Sequence, residues 1–229
     1  LYSSAASDVY KRQNLDFGQE RIVSKSIQGN LTVNWLHGAP GRNLKAEFDV
    51  IFSRSQTRFV KYDDFVFEEP YLKSFHTNST RLFEGFTDEN GKAVINASFE
   101  TEGYPGFMTA VFKGKVFEES GNFSIDRFSL PYYPYESYAG VRVPAGEKYS
   151  GMLYTDQDQK VDVVFLDIDG KPVNREGVEI SLYKLNRYWW WDNAYDDIAN
   201  YIENDSKSLF KSGSVATANG KASWTFKVA

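Results

Sequence analysis

Residues 31–52 read LTVNWLHGAPGRNLKAEFDVIF, and residues 161–183 read VDVVFLDIDGKPVNREGVEISLY. Both have one grammar: an alternating apolar run, a Gly-x-Pro turn, then a second alternating run. Successive side chains on a strand point to opposite faces. In 45–52, Ala46, Phe48, Val50 and Phe52 therefore share a core face, while Lys45, Glu47 and Asp49 share a wet one. Each stretch is followed by an Asn-Gly-Lys-Ala turn, at 90–93 and again at 219–222. The prolines Pro40 and Pro172 lie 132 residues apart, and the asparagines Asn90 and Asn219 lie 129 apart. That period is about one small domain, so the chain holds two copies of one β-rich module.

Working outward, the first copy predicts strands at 14–17, 24–27, 31–36 and 44–52, and a hairpin of 81–87 with 93–100 around Asn90-Gly91, where Asn-Gly supplies the positive φ angles of a tight turn. Strands at 108–117 and 121–130 complete it. The aromatic, acidic segment 57–80 reads as either strand or draped loop. The second copy predicts strands at 138–143, 149–155, 161–167 and 178–185, an aromatic and acidic excursion from 186 to 209 with a short helix or ordered loop at 192–204, and a final hairpin around Asn219-Gly220. Pro131-Tyr-Tyr-Pro-Tyr135 stiffens the chain between the copies, because proline fixes φ and donates no ladder hydrogen bond. The prolines and tyrosines predict a packed junction here.

The expected organisation is a domain at 14–131 and a second at 132–229. Residues 3–13, SSAASDVYKRQ, resemble an in-frame translation of a sequencing-library adaptor and lack the apolar centre of a signal peptide, so 1–13 are expected to be non-native. The alternating run 226–229 has no turn after it, so the second copy is expected to be incomplete and the chain a fragment.

Aromatic content of 17% with only two methionines suits half-buried pleats. A net charge of −5 without Lys/Arg clusters argues against nucleic-acid partners. No apolar run reaches bilayer-spanning length. Absence of cysteine excludes disulfides and thiolate chemistry within these residues.

The candidate contact cluster is Tyr188, Trp189, Trp190 and Trp191. It reads either as a stacking platform for sugar rings or as a packing clamp; consecutive strand residues cannot share one flat face, which favours the clamp. Asp192, Asp196, Asp197, Glu203 and Asp205 carry calcium-type oxygens, but without the alternating positions and glycine of an EF-hand they read as a solvated acidic loop. His37 and His76 lack a second ligand of the right type nearby, and no Gly-x-Ser-x-Gly frames a serine. Glu68-Glu69 and Glu118-Glu119 read as solvated edges, since adjacent strand carboxylates point apart. The Asn-x-Ser/Thr matches at Asn30, Asn78, Asn96 and Asn122 carry meaning only in a glycosylating secretory pathway. No catalytic, metal or cofactor residue is expected.

Asp167-Ile-Asp-Gly-Lys-Pro-Val173, Val178 to Leu185, Trp189-Trp-Trp-Asp192 and Thr217-Ala-Asn-Gly-Lys-Ala222 together resemble a macroglobulin-like domain of the bacterial α2-macroglobulin family. So do Trp35-Leu-His-Gly-Ala-Pro40 and Thr87-Asp-Glu-Asn-Gly-Lys-Ala93. The likeness covers nearly all of 14–229; the tryptophan run before acidic residues is its most specific piece. The resemblance implies an all-β chain of two tandem antiparallel sandwiches, of macroglobulin-like (fibronectin-III/Ig-like) type, the second truncated. It implies a non-enzymatic scaffold fragment of a protease (endopeptidase) inhibitor that traps its target after a bait region is cleaved. Neighbouring macroglobulin-like domains and target proteases would be the partners, and the full-length protein a lipid-anchored lipoprotein of the periplasm or cell envelope. Neither bait region nor thioester motif is present in this stretch. The other readings left open are a cell-surface carbohydrate-binding or adhesion module and an accessory domain of a secreted hydrolase.

Overall fold

The computed structural model describes residues 11–69, 74–99, 103–188 and 204–228. The chain divides into two compact units, Leu1–Tyr138 and Ala139–Ala229. Each is a pair of antiparallel sheets.

In unit 1, one sheet has the order β1 (Lys11–Asp16), β2 (Ser26–Trp35), β5 (Lys92–Ser98), and the other β4 (Thr80–Phe86), β3 (Lys45–Arg54), β6 (Met108–Phe117), β7 (Phe123–Tyr132). The period-two pattern holds: Ala46, Phe48, Val50 and Phe52 of β3 are buried, and so are Met108, Ala110, Phe112 and Val116 of β6. They meet Leu31, Val33 and Ile95 from the facing sheet in one core. The opposite face of β3 carries a charge ladder, with Arg81 donating to Asp49 at 2.5 Å and Lys45 lying 2.8 Å from Glu47.

In unit 2, β12 (Lys221–Lys227), β9 (Asp158–Leu166) and β8 (Tyr138–Arg142) form one sheet, and β10 (Val178–Tyr188) pairs with β11 (Asn204–Val215) in the other. Its core is smaller: Val161, Val163 and Phe226 are buried, with Ile180, Leu182 and Trp224 packed against them.

The repeat is visible in the hydrogen bonds. In unit 1 the first turn is closed by Trp35 N–H to Ala39 O and Gly38 N–H to Trp35 O, both 2.8 Å; in unit 2, Asp167 N–H to Lys171 O at 2.9 Å and Gly170 N–H to Asp167 O at 3.0 Å do the same. The bridges Asn34↔Pro40 and Leu166↔Pro172 also correspond.

The two Asn-Gly hairpins are corrected. Both turns form, but their flanking strands enter opposite sheets: β4 pairs with β3 while β5 pairs with β2, and β11 pairs with β10 while β12 pairs with β9. In unit 1 the reason is local. Thr87 N–H donates to Leu44 O, just before β3, at 3.0 Å, and four residues later Gly91 O accepts from Val33 of β2 at 2.8 Å. The turn is a crossing between layers.

Other boundaries moved for identifiable reasons. The Gly29-Asn30 pair, expected to separate two strands, lies inside β2; a Cβ at Gly29 would stand 2.6 Å from the Phe17 ring, so this glycine serves close packing, not a turn. Residues 149–155 form no strand. Glu147 folds this segment into a turn, its carboxylate accepting from Ser150 N–H at 2.8 Å and from Ser150 Oγ at 2.7 Å, while Gly151 N–H donates to Glu147 O at 2.8 Å. Segment 57–69 is a draped loop with a single 3-10 turn at Val60–Tyr62. β1 takes in Lys11, Arg12 and Gln13, from the segment expected to be non-native, opposite Trp35, Asn34 and Val33.

Candidate functional site

Of the candidate contact residues, Tyr188 ends β10, opposite Asn204. Trp189, Trp190 and Trp191 lie outside the described residues, as do Asp192, Asp196, Asp197 and Glu203. His37 is exposed in the turn after β2, and His76 is exposed beside Ser53 of β3. Among the described residues, no three His, Cys, Asp or Glu side chains are grouped to hold a metal ion.

The paired carboxylates do not behave alike. Glu118 sits in the tight turn closed by Gly121 N–H to Glu118 O at 2.9 Å. Glu68, expected at a solvated edge, is instead a clamp. Its carboxylate accepts from the Arg54 guanidinium and from the backbone N–H of Thr57. Thr57 is itself buried, and its hydroxyl oxygen accepts from Phe107 N–H at 2.8 Å. A charge-assisted pair that also satisfies a backbone donor holds both ends of a loop together.

An aromatic cluster continues that anchor. Phe59 lies 4.8 Å from Phe67 and 5.4 Å from Phe107, and Phe107 lies 4.7 Å from both Tyr133 and Tyr138. The tyrosines after Pro131 are thus fastened within unit 1: Ile22 and Tyr133 are linked by a 2.9 Å backbone bond, and Tyr135 Oη donates to Tyr104 O at 2.6 Å. Burial pushes the Tyr138 phenol up to about 12, against the pull of the hydrogen bond it accepts from Tyr135 N–H. The clamp leaves Val60, Lys61, Asp63, Asp64 and Val66 exposed at the loop's tip. The arrangement displays a surface on a fixed frame.

Sequence reading missed the functional weight of the two threonines that precede the Asn-Gly turns. Thr87 Oγ1 donates to Gly41 O at 2.6 Å and accepts from Leu44 N–H at 2.9 Å. Thr217 Oγ1 likewise accepts from Arg175 N–H at 2.6 Å and donates to Arg175 O at 3.2 Å. The signal was present, since threonine stands ahead of Asn-Gly-Lys-Ala in both copies.

Two sandwiches built on one plan, each with a crossing turn pinned by a threonine, make an all-β chain of the macroglobulin-like fold class. The family description "Bacterial Alpha-2-macroglobulin MG5 domain" matches residues 14–134, and "Bacterial macroglobulin domain 6" matches residues 140–229. The chain belongs to the bacterial macroglobulin-domain family. Among solved structures it is similar to Escherichia coli α2-macroglobulin in the native conformation (14% identity, TM-score 0.57, covering 95% of this chain and 14% of that one). It is similar to the same E. coli protein activated by porcine elastase (14%, 0.59, 95% and 19%). Salmonella α2-macroglobulin reacted with methylamine is comparable (13%, 0.56, 95% and 15%). The chain thus spans less than a fifth of these proteins, and the likeness is one of fold. Comparison with curated proteins gives no match.

Proposed function

We propose that this chain is a scaffold portion of an α2-macroglobulin-type endopeptidase inhibitor, which traps its target protease after a bait region elsewhere in the full-length protein is cleaved. The observation that carries the reading is the succession of MG5 and MG6 domain matches, in that order, along one chain. The role of these residues is mechanical. Antiparallel ladders and the pinned crossings hold each unit's shape while other parts of the protein move. The full-length protein is a lipid-anchored component of the cell envelope facing the periplasm, where it meets foreign proteases.

The test uses the full-length protein and porcine elastase. Cleavage is expected to compact the inhibitor on a native gel, and the captured elastase to lose activity on a large protein substrate while keeping it on a small chromogenic peptide. Elastase that degrades the protein without retention, and stays fully active on both substrates, overturns the reading. Fractionation that finds the protein in the cytoplasm overturns the localisation.

A further inference from the structure

The dipeptide Asn-Gly stands at 90–91 and again at 219–220. Asparagine is a thermolabile residue, and a following glycine makes it more so, because no Cβ hinders the approach of the glycine nitrogen to the asparagine Cγ. Both asparagines are exposed and both glycines are buried. What differs is how each glycine N–H is held. Gly91 N–H donates to Asp88 O at 3.0 Å, a backbone acceptor inside its own turn. Gly220 N–H donates instead to a side chain, Asn174 Oδ1, at 2.8 Å and 46 residues away in sequence. The residue 132 positions before Asn174 is Arg42, which has no acceptor to offer, so this grip belongs to unit 2 alone.

Gly220 is fixed from both sides. Its carbonyl oxygen accepts from Phe165 N–H at 2.8 Å, and its φ of +70° follows an Asn219 at +52°. While the N–H is engaged on Asn174, the nitrogen cannot turn onto the Asn219 side chain. Asn174 is itself exposed and lies outside every strand, so this one bond opens locally without the sheets coming apart.

We propose that Asn219 is a latent self-modification site and that Asn174 is the residue that keeps it latent. When the Asn174 bond opens, the Gly220 nitrogen gives its proton to water and attacks Asn219 Cγ. The new N–C bond closes a five-membered imide, and the side-chain nitrogen takes up a proton and leaves as ammonia. Water then adds to either ring carbonyl and breaks its bond to the ring nitrogen. Cutting the side-chain bond gives aspartate; cutting the main-chain bond gives isoaspartate. The balance is one water in and one ammonia out, with no oxidant or reductant. Isoaspartate lengthens the main chain by a methylene just before Gly220. The bond from Phe165 N–H to Gly220 O and the first pairs of β12 with β9, Lys221↔Val164 and Ala222↔Val163, are thereby pulled out of register. The step unfastens the crossing turn of unit 2. It needs only water and residues of that unit, so it is independent of the inhibitor reading.

The test ages the intact chain in warm neutral buffer, with and without concentrated urea, and follows Asn90 and Asn219 separately by peptide mapping with mass spectrometry. Asn219 is expected to convert far more slowly in the folded chain than in urea. Asn174→Ala should speed conversion at Asn219 by about tenfold, the factor equivalent to about 1.4 kcal/mol and the size of one net hydrogen bond. Conversion at Asn90 should not change, since Gly91 N–H is held by Asp88 O. Asn174→Asp keeps an acceptor oxygen and should restore the slow rate. Amide exchange of Gly220 should rise in the Ala variant while that of β9 stays as it was, which separates loss of the lock from unfolding of the unit. An Asn219 that converts equally fast folded and unfolded, an Ala variant no faster than the parent, an Asp variant as fast as the Ala variant, or a rise in exchange throughout β9 would each overturn the proposal.

Discussion

Val33 donates its backbone N–H to the carbonyl oxygen of Gly91 at 2.8 Å, and that one bond ties the crossing turn of unit 1 to the far sheet. Gly91 is held at φ +71°, and a Cβ added there would collide with Val33 O and stand 2.9 Å from Gly41 N. Both obstacles are backbone, so neither can rotate away. Gly91→Ala is expected to cost about 3 kcal/mol, roughly 1–2 from the left-handed conformation and the rest from the displaced strand. Gly18→Ala is the control, because its φ is +64° with nothing within 4 Å of the added Cβ. It should cost only about 1–2 kcal/mol. Equal losses by urea denaturation would show that the Val33 contact does not constrain the turn.

Thr87 tests the same crossing through its side chain. It is 2% exposed, and its hydroxyl satisfies Gly41 O and Leu44 N–H together. Thr87→Val keeps the shape and strands both groups, so a loss of about 2–4 kcal/mol is expected. Thr87→Ser keeps the hydroxyl and forfeits one methyl, for about 1 kcal/mol. Native-state exchange of β3 and β4 amides reads the difference, and a Val variant as stable as the Ser variant would contradict it.

The inner faces of β3 and β6 were readable because one apolar residue alternates with one polar residue wherever a sheet has one wet side. The bounds of β6 fall at Met108 and Phe117, as the alternation predicts. What local pattern cannot carry is which sheet a strand joins. Asn-Gly dictates a turn at 90–91 and at 219–220, and the turns are there. The partner of each following strand is chosen by bonds to residues far away in sequence, Val33 for the first and Phe165 for the second. The role of Glu68 was hidden for a related reason. Beside Glu69 it looks like surface, and only the approach of Arg54 and Thr57 across the folded loop makes it an anchor.

Tyr132 offers a case in which removing an atom should not hurt. Its ring is fully buried, 5.0 Å from Phe52 and 5.7 Å from Phe99, and its hydroxyl has no hydrogen-bond partner among the described residues. A buried donor without a partner costs about 1–3 kcal/mol, so Tyr132→Phe should leave unit 1 as stable or more stable by up to about that amount. Tyr132→Ala, which empties the ring's place, should lose about 3–5 kcal/mol. Thermal denaturation separates the two, and a clear loss in the Phe variant would reveal a partner for the hydroxyl.

Asp162 makes unit 2 acid-sensitive. Ser223 Oγ donates to its carboxylate at 2.6 Å and Arg142 at 2.8 Å, and these bonds hold its pKa at about 2. Because the folded value is depressed, the stabilisation is complete above the unfolded value near 4 and is lost as pH falls through about 2. Asp162→Asn should be less stable at neutral pH and show a flatter acid limb between those values. Exchange or circular dichroism of unit 2 as a function of pH reads this, and an unchanged acid limb would remove Asp162 from the account.

Alkaline sensitivity should lie in unit 1. Tyr138 is 5% exposed, and burial lifts its phenol to about 12, while Tyr132 is raised by burial as well. Here the folded value is above the unfolded one near 10, so stability is whole below about 10 and is lost as pH rises through about 12. The physical cause is desolvation: a phenolate at Tyr138 would be formed among the rings of Phe59, Phe107 and Tyr135, away from water. Tyr138→Phe removes the ionisable group and keeps the ring, so it should soften the alkaline limb without abolishing it, since Tyr132 remains. Absorbance at the tyrosinate band should show tyrosines that titrate only as unit 1 unfolds. If every tyrosine ionises near 10 while the sheets remain intact, the buried cluster is open to solvent and the assignment fails.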